Sequence, residues 1–188
     1  LSEFIDAFVI GDGEEVIHEL LSEYQSQQFT NKQDLLLRLS HIKGVYVPLL
    51  YDVTYKEDGT ISNLYQKTDK KIERRTIYDL DKFDTVSSIL TPNTEFANTL
   101  LVEVERGCAN RCRFCIASYS QRCRFRSSQA ILKLTETDLA EKAERIGLLG
   151  ASVTDHPEID FVATSLVEKG KMISVASMRA DSVSDKLL

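Results

Sequence analysis

All four cysteines of the chain fall between positions 108 and 123. Three of them stand in the string Glu105-Arg106-Gly107-Cys108-Ala109-Asn110-Arg111-Cys112-Arg113-Phe114-Cys115, with the spacing C-x3-C-x2-C. Three thiolates on one short loop can converge on three irons of a cubane cluster, leaving the fourth iron open to a substrate or cofactor. Three other chemistries compete. Zinc could take these three with Cys123, although zinc knuckles and ribbons use paired C-x2-C units and a single such unit is present. Cys123 could instead be the fourth ligand of a ferredoxin-like electron carrier. The thiols could also pair as disulfides, but four cysteines in 188 residues is far below the density of a disulfide scaffold. Leu1-Ser2-Glu3-Phe4-Ile5 has neither a basic n-region nor an apolar h-region, so it does not read as a signal peptide. The expected compartment is a reducing cytoplasm, and the expected role of the cysteines is to hold a metal.

The elements around the motif follow from the apolar periodicity. From Thr99 onward the pattern is β-α-β-α-β, with strands at 100–105, 146–153 and 172–178 and helices at 127–143 and 157–169. A further helix is expected to start at Asp181. Strands alternating with helices imply a parallel sheet with right-handed crossovers, and the cysteine loop directly follows its first strand. Upstream, Phe4 to Ile10 reads as a short buried strand. Val16, Ile17, Leu20, Leu21 and Tyr24 have helical spacing, and a second helix is expected over 31–39. Val45, Val47 and the 49–55 run alternate as strands. Glu57-Asp58-Gly59 marks a turn, and 61–65 returns as a hairpin partner. Residues 66–98 are polar, with a solvated charge run from Lys67 to Arg75.

The motif Cys108-x3-Cys112-x-Phe114-Cys115 after a strand resembles the signature of the radical S-adenosylmethionine (radical SAM) superfamily, down to the aromatic residue before the third cysteine. The run Arg-Gly-Cys-x3-Cys-Arg-Phe-Cys is similar to members with an N-terminal cobalamin-binding domain. Residues 5–14, with Gly11-Asp12-Gly13-Glu14, look like the last strand and turn of such a domain, and Gly44-Val45-Tyr46-Val47-Pro48 resembles the connector after it. The fold class this implies is α/β. Residues 1–43 would be the tail of a cobalamin-binding-type, Rossmann-like domain and 44–97 a linker with a β-hairpin. Residues 98–188 would be the first three β/α units of an incomplete TIM-like barrel. The chain would then be an excised piece of a longer protein, which also suits its lack of a start methionine.

The resemblance implies that Cys108, Cys112 and Cys115 ligate a 4Fe–4S cluster. Its open iron would chelate the amino and carboxylate groups of S-adenosylmethionine. Reductive cleavage would then give a 5′-deoxyadenosyl radical for hydrogen abstraction, methyl transfer or methylthiolation. A ferredoxin or flavodoxin would serve as reductant, and the resemblance leaves cobalamin open as a cofactor of the full-length protein. Further site residues are implied at the C-terminal ends of the strands. Phe114 is expected beside the adenine or the cluster. Gly150 and Ser152 lie where many members have Gly-Gly-Glu for the cofactor's amino group. This chain has no Glu there, so a backbone carbonyl, Ser152 or Asp155 would substitute. Ser177 and Arg179 are expected to meet the ribose and carboxylate, a guanidinium being suited to bidentate carboxylate binding.

Several other readings fail on residue type. Gly11-Asp12-Gly13 is not a dinucleotide loop, because Val16 replaces the third glycine and Asp12, Glu14 and Glu15 would repel a pyrophosphate. Cys123 reads as a non-ligand thiol, and His18, His41 and His156 as structural. The arginines at 106, 111, 113, 122, 124 and 126, with no acid among them, suit an anionic cluster or an anionic substrate such as RNA, while most of them are expected to be solvated or paired across the barrel. The formal net charge of −6 and pI near 5.2 do not point to a nucleic-acid coat. Charges interrupt every apolar run well before membrane-spanning length.

Overall fold

The computed structural model describes residues 3–187. They divide into two compact units, residues 1–77 and 78–188, which are described separately.

In the first unit, strand β1 (Phe8–Val9) pairs antiparallel with β2 (Val45–Tyr46). The apolar run that reads as a buried strand over 4–10 thus forms only two residues of sheet. With one partner strand it cannot be covered on both faces, and Phe4, Ile5, Val9 and Ile10 stay exposed. Helices α1 (Val16–Gln25) and α2 (Lys32–Leu39) follow. Asn31 starts α2 by accepting a hydrogen bond from the Asp34 N–H at 2.9 Å, an N-cap that satisfies an otherwise orphaned donor. Val16, Leu36, Val45 and Val47 form the core of this unit, with Leu20 and Leu39 against it. Ile17, Leu21 and Tyr24 of α1 are exposed, so only part of its apolar stripe finds a partner here. Strands β3 (Tyr51–Tyr55) and β4 (Ile61–Gln66) form an antiparallel hairpin around the Glu57-Asp58-Gly59 turn. The charge run after it is partly fastened down. Arg75 bridges Glu15 at 3.2 Å and pairs with Glu19, and its backbone meets Gly11.

In the second unit, β5 (Thr99–Glu103), β8 (Arg145–Leu149) and β9 (Met172–Val175) make a parallel sheet in the order β5-β8-β9. A short antiparallel pair, β6 (Glu105–Arg106) with β7 (Arg124–Phe125), extends beyond β5. Between them lies the cysteine loop, with only helix α3 (Ala117–Ser120) in it. Helices α4 (Ser128–Leu134) and α5 (Asp138–Lys142) lead from β7 to β8, and α6 (Ile159–Glu168) leads from β8 to β9. Leu100, Val102, Ile146 and Leu148 are fully buried under Ile131, Val162 and Leu166. Burying each such side chain is worth about 1.5–3 kcal/mol, so this core holds the sheet edge that carries the loop.

Several local expectations change, and the strands expected over 146–153 and 172–178 end at Leu149 and Val175. The single helix over 127–143 is two helices. The Thr135 hydroxyl donates to the Leu132 carbonyl at 2.7 Å and the Thr137 hydroxyl caps the Ala140 N–H at 3.2 Å. Both compete with continued helical bonding. The segment from Asp181 forms turns rather than a helix through Leu187, and Leu188 lies outside the described residues. Among the described residues no helix is long and apolar enough to cross a membrane.

Candidate functional site

The loop from Gly107 to Ile116 starts where β6 ends, at the carboxyl edge of the parallel sheet. Gly107 turns the chain there with φ +83°, and a Cβ on it would lie 2.4 Å from the Arg122 carbonyl oxygen. Only glycine tolerates both conditions, and the close approach puts the start of the loop directly against the segment Arg122–Cys123 that leads into β7. All four cysteines are free thiols, with Cys112 exposed and the others half-buried. The Cys115 N–H donates to the Cys112 carbonyl at 3.1 Å, so those two sit on one turn. Among the described residues no three Cys, His, Asp or Glu side chains already converge on one metal position. The donor set nevertheless fits an iron–sulfur cluster in kind. It consists of three soft sulfur ligands on a loop without regular structure, free to close around the group.

Asn110 ties this loop to the ends of the other two parallel strands. Its Nδ2 donates to Cys108 Sγ at 3.4 Å and to Asp155 Oδ2, while its Oδ1 accepts from the Arg179 guanidinium. Arg179 also lies 3.7 Å from Asp155, and its backbone N–H donates to Thr154 Oγ1 at 3.0 Å. Asp155 ends the short helical turn after β8, and Arg179 follows β9. Burial would push the Asp155 carboxyl up, but the hydrogen bond from Asn110, with the nearby Ser152 and Ser182 hydroxyls and the charge of Arg179, holds it below the usual carboxylate range.

Glu105 occupies the place where the sequence lacks an acid. Its carboxylate crosses from β6 to the end of β8 and accepts the Ser152 N–H. Gly150 makes this possible, since a Cβ there would lie 2.4 Å from Glu105 Cγ. Glu105 is only 3% exposed, and its Oε2 has no hydrogen-bond partner among the described residues. Burial first, and then the nearby Asp155 charge, push its carboxyl above the ordinary range. The folded chain therefore binds this proton more tightly than the unfolded chain. The stability that follows is fully present below the ordinary value and is lost as pH rises through the folded value. Glu105→Gln is expected to remove this component. The wild-type-minus-variant difference in denaturant midpoint should fall from pH 4 upward, and a difference that is flat with pH would contradict it.

The remaining expected site residues are dispersed. Phe114 is 93% exposed, so it is not a core residue. Ser177 is exposed, and its carbonyl accepts the Val153 N–H at 3.0 Å. Cys123 lies near Cys108 and Glu105, and burial with those neighbours pushes its thiol up to about 11. The arginines divide into two groups. Arg111, Arg113 and Arg122 are exposed. Arg106 forks onto Glu103 at 2.7 and 2.9 Å. Arg126, 1% exposed, donates to the carbonyls of Phe83 at 2.8 Å and Glu103 at 3.0 Å and straps residues 80–83 to the sheet. His156 is structural: Nε2 bonds the Arg126 carbonyl at 2.7 Å and Nδ1 accepts the Glu158 N–H at 3.1 Å. Asn110 and Glu105 carry no signal in the sequence beyond their places inside and just before the cysteine motif.

Comparison with known proteins adds an independent observation. Residues 1–48 match the family described as Radical SAM proteins, N-terminal. This match supports membership of the radical SAM superfamily. It ends before the cysteine loop, so it and the loop are separate pieces of evidence. An uncharacterized protein of Methanocaldococcus jannaschii is similar to the chain, 27% identical over 192 residues that cover 100% of this chain and 36% of the relative. The chain thus spans little more than a third of the length of the curated relative it matches.

Proposed function

We propose that this chain carries the cluster-binding part of a radical SAM enzyme. Cys108, Cys112 and Cys115 would hold a 4Fe–4S cluster with one iron open to S-adenosylmethionine. The observation that carries the reading is the C-x3-C-x2-C loop at the carboxyl edge of a parallel sheet, where α/β folds put their chemistry. The radical SAM match at residues 1–48 supports it from another part of the chain. The chemistry supplied by a bound cluster is one-electron reduction of S-adenosylmethionine, which breaks its sulfonium carbon–sulfur bond.

The chain's own residues would bind and orient. Three thiolates leave one ligand position unfilled by protein. Arg179, held against the loop by Asn110, would offer a guanidinium to the cofactor's carboxylate. Ser177, exposed at the end of β9, would meet a ribose hydroxyl. The Ala151 and Ser152 backbone beside Gly150 would line the amino end. Phe114, exposed on the loop, would lie against the adenine and exclude water. Cys123 would remain a thiol outside the ligand set, consistent with the burial that keeps it protonated. The reductant, a ferredoxin or flavodoxin, and the substrate would meet the whole protein.

Anaerobic reconstitution with iron and sulfide, followed by low-temperature EPR of the reduced protein, tests the reading. The expected result is a cubane signal that shifts when S-adenosylmethionine is added. A cubane signal indifferent to it, or bound zinc in place of iron, would overturn the proposal.

A further inference from the structure

We infer that Asn110 is a positioning residue for Cys108, and that its amide sets the electron affinity of the group which that thiol holds. The inference rests on the cluster-binding reading above. Within the cysteine motif, Asn110 is the residue whose side chain reaches a ligand sulfur. Its backbone N–H lies 3.5 Å and its Nδ2 3.4 Å from Cys108 Sγ, so one residue aims two donors at one sulfur. The second hydrogen of Nδ2 goes to Asp155 Oδ2, and Oδ1 accepts from Arg179. Every polar group of the amide is used. Rotating the amide by half a turn would set its oxygen against the Asp155 carboxylate and the Cys108 sulfur, and its NH2 against a guanidinium. Only one orientation is therefore compatible with its neighbours.

Two effects follow. First, the amide anchors the loop to the ends of β8 and β9 through Asp155 and Arg179, which the hydrophobic core below holds in register. Second, N–H···S bonds disperse charge on a ligating thiolate and favour the reduced, more negative state of the cluster it serves, so removing a donor lowers the reduction potential. Residues supporting a metal ligand typically contribute about 10–100-fold to metal retention.

Two variants of the whole protein separate anchor from donor. Asn110→Ala removes the side-chain donor and the anchor. It is expected to release iron to a chelator about tenfold faster and to lower the potential measured by EPR-monitored titration. The double variant Asn110→Asp, Asp155→Asn reverses the hydrogen bond between the two positions. The new carboxylate in the loop then accepts from both the new amide at the end of β8 and Arg179, so the anchor is kept, while Cys108 loses its side-chain donor and faces a carboxylate oxygen instead. Iron release is expected to be slower than in Asn110→Ala, with the potential below the wild-type value. Unchanged release and potential in Asn110→Ala would overturn the inference alone. A double variant whose potential returns to the wild-type value would overturn the donor role. If the wild-type protein takes up no cluster, the cluster-binding reading fails first, and the inference falls with it.

Discussion

Replacing Cys108, Cys112 or Cys115 singly by alanine is expected to abolish cluster loading, whereas Cys123→Ala is expected to leave it nearly intact. The asymmetry is physical. The three motif thiols share one irregular loop, and Cys115 is hydrogen-bonded to the Cys112 carbonyl through its backbone at 3.1 Å. Cys123 sits outside the loop, on the approach to β7 (Arg124–Phe125), where burial pushes its thiol up to about 11. A ligand must give up its proton, and a buried thiol beside the Glu105 carboxyl gives it up least readily. Since losing even a supporting partner of a ligand costs about 10–100-fold in metal affinity, losing a ligand should leave little iron or sulfide per chain. The measurement is iron and sulfide content after anaerobic reconstitution, with the absorbance of the cluster as a second reading. If Cys123→Ala lost its cluster as completely as the other three, the site would be a four-cysteine electron carrier. If Cys112→Ala kept its cluster, the assigned ligand set would be wrong.

Gly107→Ala should be the most damaging single methyl in the second unit. The residue has φ +83°, and the added Cβ would lie 2.4 Å from the Arg122 oxygen, 2.7 Å from its carbon and 3.0 Å from the Cys123 nitrogen. These are backbone atoms and cannot rotate aside. A left-handed alanine alone costs about 1–2 kcal/mol, and separating β6 from β7 adds to it. The strain falls beside the pair Arg106↔Arg124, away from the core around Leu100 and Leu148. Two results are expected together. The denaturant midpoint should fall by an amount worth at least about 2 kcal/mol, and cluster loading should fall because Cys108 is displaced. A variant with unchanged midpoint and loading would show that the turn at Gly107 is not under this constraint.

Arg126 shows how residue type alone misleads. In the sequence it is one of a run of arginines around the cysteines, for which solvation, pairing across the barrel and an anionic ligand are all open readings. In the structure it is buried and directs its Nε and Nη1 donors to the carbonyls of Leu80, Phe83 and Glu103. The segment it holds is polar and irregular, so no periodicity announces it. The strand over 4–10 fails for a related reason. An apolar run specifies that a segment can be buried, not that a second face exists to bury it.

The candidate ligand set is legible in the linear chain, because thiol spacing on a short loop is a local property. So is the alternation of strands and helices from Thr99 to Val175, because apolar periodicity reports which face of each element is covered. The hairpin after residue 50 can be read in the same way, from a Gly-containing turn between alternating runs. What surrounds the cysteines emerges only on folding. Glu105 meets Ser152 across 47 positions, Asn110 meets Asp155 across 45 and Arg179 across 69. Such contacts have no periodic signature, since they exist only once β5, β8 and β9 lie side by side and bring their carboxyl ends to one edge. The Glu105 carboxyl is the clearest case: it reaches the end of β8 from β6 because Gly150 leaves space for it.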